Sequence, residues 1–219
     1  MAGRPGPRRV LTEDAILDAA LALLDEGGLE AASVRRIAAA VGVAPNAVYT
    51  YFPDKAAVQA ALVDRLLGEV DYAVLAGPGR PWRERIRALA LDVRARLSAH
   101  PGAVALLMGG PLDGPNALAL GEGLLAVLAE AGLAREAAAR ASYLVMVYVL
   151  GAIALEAAEH TEPGRLPAEA ARIAARRAAF AGVPADRYPR TAAAADTIAT
   201  YVSTDQFTWG LDRVLAGIV

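Results

Sequence analysis

Arg35, Pro45, Asn46, Ala47, Tyr49, Thr50, Tyr51 and Lys55 lie in one short stretch and suit the chemistry of duplex DNA. An asparagine amide such as Asn46 carries a donor and an acceptor side by side and pairs bidentately with adenine in the major groove, while the Pro45 ring suits a thymine methyl. Arg35 can reach guanine or a phosphate. Tyr49, Thr50, Tyr51 and Lys55 have the donors expected of phosphate contacts, which position a reader without specifying sequence. Ala47 shares the face and brings no polar group. The same residues also have purely structural uses: Tyr49 can pack between helices, and Asn46 can cap one.

Such side chains work together only if the backbone presents them on one face. Ser33 can cap a helix by accepting a free amide of its first turn. Val34, Ile37, Ala38 and Val41 recur at helical spacing and give that helix one apolar face. Gly42 falls where the helix must stop in a left-handed conformation. Pro45 suits the first turn of a second helix, and Pro53 disfavours helical geometry at Phe52. Val48 and Phe52 are expected to point inward, and Asp54 to cap a third, longer helix. Two short helices joined by a tight glycine turn are the unit that lays a recognition helix in the major groove.

The segment Val41-Gly-Val-Ala-Pro-Asn-Ala-Val-Tyr-Thr-Tyr-Phe-Pro-Asp-Lys55 resembles the recognition segment of the TetR family of bacterial transcriptional repressors. Residues 12–65 match that family's three-helix DNA-binding domain in length and order. The tail from Phe207 to Ile218 is similar to the last helix of the tetracycline-repressor branch. The resemblance gives positions 35–55 the DNA-contacting roles named above. Ala44 and Ala47 depart from the family's usual hydroxyl residues and remove a possible cap or phosphate contact. His100-Pro101 falls roughly where the tetracycline repressor places a metal-linked histidine. Asp71 and Leu89, however, stand where that repressor uses polar groups to hold its drug. No magnesium–tetracycline site, and no metal or cofactor of any kind, is therefore expected.

The absence of cysteine excludes disulfides, thiolate zinc sites and thiol catalysis. A chain of 219 residues can bury a substantial core. Hydrophobic residues make up 56%, yet the most apolar stretch, Tyr143 to Leu155, is too short to span a bilayer and contains Gly151. No signal peptide follows Arg4, Arg8 and Arg9, so a cytoplasmic protein without membrane contact is expected. The net charge of −2 rules out a generally basic nucleic-acid binder; the arginines and Lys55 of the proposed DNA face are offset by Asp14, Asp18, Asp25, Glu26 and Glu30. Modest nonspecific affinity follows.

Residues 1–10, rich in Gly, Pro and Arg, read as a flexible basic arm that can touch phosphates or the minor groove. Residues 11–65 form the expected helix-turn-helix domain, with a first helix from about Thr12 to Glu26 ended by Gly27-Gly28 and a fourth from Lys55 to about Leu75. Residues 66–219 form the expected ligand-binding and dimerisation domain. Its helices are expected at about 82–99, 102–108, 115–131, 135–159, 167–181, 191–202 and 204–217. No convincing strand is present, so the fold class is all-α.

Two jobs fall to the larger domain. Tyr143, Val147, Leu150, Ala154 and Ala158 on one helix, and Phe207, Leu211, Val214, Leu215 and Ile218 on another, form apolar stripes. In TetR-like proteins two such helices from each subunit make a four-helix dimer interface; the alternative is ordinary core. Trp82, Leu89, Val93, His100, Met108, Leu112, Leu124, Leu128, Tyr143, Met146 and Phe180 are the candidate lining of a ligand pocket. No nucleophile–base constellation, P-loop or dinucleotide fingerprint is visible, so an enzyme is not expected. The reading is a homodimeric, ligand-responsive repressor of a palindromic operator, released by a small apolar effector. The alternative is an α-helical small-molecule binding or enzymatic domain whose helix-turn-helix does not read DNA.

Overall fold

The computed structural model describes residues 11–77, 79–110, 112–159 and 164–218, so the expected basic arm lies outside the described residues. The Thr12 hydroxyl accepts the amide of Ala15 and opens α1 (Glu13–Ala31), which buries Ile16, Leu17, Ala20, Leu21 and Leu24. Gly27-Gly28 kinks this helix where a stop was expected: both residues leave helical geometry, Gly28 at φ 64°, and the helix resumes to Ala31. A left-handed residue without a Cβ lets the chain bend there without ending the helix.

Ser33 caps α2 (Val34–Val41) by accepting the Arg36 amide at 3.3 Å, and Gly42 closes it at φ 77°. Pro45 opens the short α3 (Pro45–Val48). Asp54 caps α4 (Lys55–Gly68) through the amide of Ala57. α4 ends at Gly68, earlier than expected, and Tyr72–Ala76 forms a separate 3₁₀ turn whose Ala73 amide is taken by Asp71. Then follow α5 (Trp82–Ala99), α6 (Pro101–Gly109), α7 (Pro115–Glu130), α8 (Arg135–Ala158) and α9 (Glu169–Ala181). α10 (Pro189–Ala193) and α11 (Ala195–Ala199) replace the single helix expected at 191–202, because the backbone breaks at Ala194. The chain ends with α12 (Thr204–Ala216). No strand occurs among the described residues, so the molecule is all-α.

Two hydrophobic cores are built on these helices. The smaller joins α1, α2, Val48, Phe52 and the Val58, Leu62 and Leu66 face of α4, and also takes in Ala103 from α6. The larger joins Val63 and Leu67 of α4 to α5, α6, α7, α8 and α12. Full burial of one large aliphatic side chain contributes about 1.5–3 kcal/mol, so α4, with residues in both cores, is held from two sides. α6 is a second bridge. Gly102 lies so close to α1 that a Cβ there would overlap the Leu24 carbonyl, and His100 Nδ1 pairs with Asp25 Oδ2 at 2.8 Å.

A buried ionic network ties α5, α8, α9 and α12 together. Arg94 Nε and Nη2 donate to the two Glu156 oxygens at 2.9 and 3.1 Å, and Arg94 Nη1 donates to the Thr204 hydroxyl at 2.8 Å. Arg172 Nη1 approaches Glu156 at 2.5 Å, and Glu169 accepts both the amide and the hydroxyl of Thr204. Burial alone would push the Glu169 carboxyl up, but the Thr204 hydrogen bonds and the Arg94 charge bring it below its ordinary value.

Among the described residues α8 is long and apolar enough to cross a membrane by length and composition, although the apolar stretch within it had looked too short. Its inner stripe of Val145, Val149 and Ile153 is buried in the larger core, and Glu156 is held in the ionic network. Its remaining apolar surface is therefore an outer face rather than a girdle.

Candidate nucleic-acid interface and effector cavity

Local chemistry sets the recognition segment. Ala44 precedes α3 without a side-chain cap, so Pro45, whose missing amide needs no partner, is what starts the helix. After Val48 the chain continues as a hydrogen-bonded turn, with the amides of Tyr51 and Phe52 both donating to the Val48 carbonyl. Val48 and Phe52 are buried, as their spacing implies. The segment is fixed from beneath by these two side chains and presents its other face to solvent.

Arg35, Pro45, Asn46, Tyr49, Thr50, Tyr51 and Lys55 are all exposed, and Ala47 is half-buried. Asn46 does not cap α3: the cap position is Ala44, and the Asn46 amide has no partner among the described residues. Tyr49 stands 48% exposed and does not pack between helices. Three of the expected phosphate donors are partly engaged within the protein. Tyr51 donates its hydroxyl to the Leu11 carbonyl at 2.6 Å, fixing the point where the N-terminal segment leaves the head. Thr50 Oγ1 donates to the Asn46 carbonyl at 3.4 Å. Lys55 Nζ donates to the Leu29 carbonyl, also at 3.4 Å, and keeps two protons free.

The larger core encloses a cavity of about 290 Å³ between α4, α5, α7 and α8. Leu89, Val93, Met146, Leu112 and Leu124, expected at a pocket, line it together with Leu67, Ala90, Leu118, Gly121, Glu122, Leu125, Val149 and Leu150. Trp82, His100, Met108, Leu128, Tyr143 and Phe180 do not line it. Leu128 is fully buried in the larger core, while Met108 and Tyr143 face outward. Trp82 packs at the start of α5 beneath the Arg83 guanidinium, and Phe180 lies on α9 beside Arg176. His100 is held by Asp25 at the α1–α6 joint. Of the expected aromatic and sulfur side chains only Met146 reaches the cavity, whose lining is mostly leucine, with alanine and valine. The lining does not suit a hard metal–effector complex, since among the described residues Glu122 is its one carboxylate and it has no imidazole.

The stripe assigned to α12 also needs correction. Phe207, Leu211 and Leu215 are 4%, 0% and 1% exposed and fill the chain's own core, and Val214 and Ile218 pack against its edge. Tyr148 donates its hydroxyl to the Phe207 carbonyl and occupies the space beside Gly210, so the close approach that this glycine allows is to α8 of the same chain. Leu150 lines the cavity. The outward faces instead carry Tyr143, Leu144, Val147 and Leu155 on α8 and Trp209 on α12, with Leu155 as much as 73% exposed. Ala154 is half-buried on the same helix.

Spacing gave no sign of the link between head and cavity. α7 begins at Gly114-Pro115 without a cap of its own. Asp64 of α4 supplies one: its Oδ1 accepts the Asn116 amide at 2.8 Å and its Oδ2 accepts Asn116 Nδ2 at 2.9 Å. Asn116 Nδ2 also donates to the Asp64 carbonyl at 3.0 Å. Gly68 and Gly114 leave the space this clasp needs. The one signal in the sequence is a proline-initiated helix with glycine at its cap position, which implies a cap from elsewhere. Asp64→Ala is expected to cost about 1–2 kcal/mol in equilibrium urea unfolding, and an unchanged midpoint would show that water replaces the carboxylate.

An exposed helix-turn-helix clasped to a hollow helical body defines a DNA-binding regulator. The model of the bacterial regulatory proteins of the tetR family matches residues 16–62, and that of the tetracyclin repressor-like C-terminal domain matches residues 76–219. The chain belongs to the TetR family of transcriptional regulators. It is 37% identical over 183 residues to an HTH-type transcriptional regulator of Saccharopolyspora erythraea, covering 81% of this chain and 77% of that protein. Among solved structures it is similar to a possible TetR family transcriptional regulator from Streptomyces coelicolor A3(2), with a TM-score of 0.79 and 34% identity over 94% of this chain and 98% of the other. The S. coelicolor protein ActR, solved in complex with actinorhodin, shares the fold at 24% identity and a TM-score of 0.77, covering 96% of this chain and 97% of its own.

Proposed function

We propose that the chain is a homodimeric repressor that binds a palindromic operator in the cytoplasm and lets go when a small, largely apolar effector fills the cavity. Residues 11–65 serve as the DNA-reading head and residues 66–219 as the sensing and dimerising body. The observation that carries this reading is the shared role of α4. It supports the recognition segment through Val58 and Leu62, lines the cavity through Leu67, and caps the cavity wall α7 through Asp64. An effector that displaces α7 therefore pulls on the helix that carries the head. A groove of about 760 Å³ between α4 and α6, lined by Ala56, Ala60, Ala105 and Gly109 among others, leaves α4 room to swing. Release requires the effector to prefer the swung state, since equal affinity for both states shifts nothing.

Two heads are needed because one makes too few contacts, and a twofold pair reads a palindrome. The apolar outer faces of α8 and α12, with Tyr143, Leu144, Val147, Ala154, Leu155 and Trp209, support a dimer seam there. The testing experiment is selection of binding sites from random duplex DNA across a salt series. An enriched palindrome, bound by a dimer in sedimentation, is the expected result; an unrelated or asymmetric set of sequences would overturn it. On the selected site, Asn46→Ala is expected to cost about 1–3 kcal/mol and to relax preference at one base pair. Lys55→Ala should weaken all sites alike and flatten the salt slope by about 0.9. A uniform loss for Asn46→Ala as well would remove it from base reading.

A further inference from the structure

The chemistry of the cavity walls restricts the effector more sharply than its size does. Apart from Glu122 and Ser142, the side chains around it are hydrocarbon or thioether, with no aromatic ring and no cation. Ser142 donates its proton to the Ala139 carbonyl at 2.9 Å, so only its lone pairs remain. Among the described residues Glu122 accepts no hydrogen bond and forms no ion pair. The lining therefore presents acceptors and no free side-chain donor. A ligand carbonyl or quinone oxygen would enter unpaired, at the cost of its hydration. A ligand carboxylate would in addition meet a like charge.

Position matters as much as charge. Leu118 lines the cavity yet is 61% exposed, so this part of α7 forms the mouth. Glu122 follows one helical turn later on the same face. A cation held there stays partly hydrated while its hydrocarbon body enters the cavity, which avoids the large penalty of burying an ion. We propose that the effector is a hydrophobic amine whose ammonium group is held by the Glu122 carboxylate. This rests on the reading of the cavity as the effector site.

The test is calorimetric titration of the full-length protein with 1-adamantanemethylamine, and separately with 1-adamantanemethanol, a matched neutral probe. The amine is expected to bind about fivefold or more tightly than the alcohol, as a partly desolvated ion pair allows. Glu122→Gln, at an exposed position, should erase that preference by weakening the amine. Ala90→Leu, which fills the cavity, should weaken both probes. Equal affinity of the two probes for the unaltered protein overturns the amine proposal while the cavity reading stands. If neither binds, or if both bind the Ala90→Leu variant undiminished, the effector-site reading itself falls and the amine proposal with it.

Discussion

Glu156→Ala is expected to lower the free energy of unfolding by about 3–5 kcal/mol, because it leaves two guanidinium groups in a buried site without their shared counter-ion. Arg94 spans both oxygens of Glu156, and Arg172 approaches one of them at 2.5 Å. Only Glu169, 3.6 Å from Arg94, would remain to offset the two charges. Equilibrium urea unfolding at fixed protein concentration measures the effect, since self-association of the proposed kind would contribute to apparent stability. A loss below about 1 kcal/mol would mean that water enters and solvates both arginines, which would class the triad with exposed ion pairs. The same network has a pH signature. The folded-state carboxyl of Glu169 lies below its ordinary value, so its stabilisation is complete above the unfolded-state value of 4.5. It is lost as pH falls through the folded value. Glu169→Gln should flatten the stability profile below about pH 4.5 and leave it unchanged at neutrality apart from a constant offset.

Gly102→Ala is the second substitution with a large expected consequence, and its effect should appear in DNA binding. The added Cβ would overlap the Leu24 carbonyl and crowd the Asp25 amide, both backbone groups that cannot swing aside. α1 and α6 must then separate, at a cost of about 1–3 kcal/mol for overpacking. On the proposed function, α1 moves with the DNA-reading segment and α6 with the cavity, so the separation would tilt the proposed recognition helices. Operator affinity is expected to fall about tenfold or more, equivalent to roughly 1.4 kcal/mol, with the sedimentation coefficient unchanged. Gly109→Ala on the same helix meets open space and provides the control; the helix propensity of alanine predicts a neutral or slightly stabilising result. Unaltered operator binding by Gly102→Ala would show that the joint yields without moving the head.

What could be read from the sequence was what local chemistry decides. Ser33, Gly42, Pro45 and Asp54 are punctuation that acts within three or four residues, and each marks the boundary the backbone adopts; Pro53 does not, since α3 ends at Val48 and gives way to a hydrogen-bonded turn. Gly27-Gly28 was read as a stop because two glycines weaken a helix. The helix nevertheless resumes beyond the kink to the buried Ala31, and Ala32, just past its end, packs in the smaller core. The apolar pattern continues past the end of α4 into Val70 and Leu75, which are buried from the bend after the helix and from the 3₁₀ turn instead. On α12, periodicity identified an apolar stripe correctly but not which surface it faced. The stripe of Phe207, Leu211 and Leu215 belongs to the core, and Trp209 on the opposite side is the exposed one. The pairs Asp64–Asn116 and Asp25–His100 join residues far apart in the chain, and no spacing rule reaches that far.

The clasp between Asp64 and Asn116 makes one segment of the body report on the head. α7 lacks a cap of its own, so its first turn is completed only while α4 stands in one place. Withdrawal of α4 would free the Asn116 amide. Hydrogen exchange at that amide would then keep time with the swing of the recognition helices. A local fraying event, rather than movement of a rigid lever, would set the rate at which the regulator changes state.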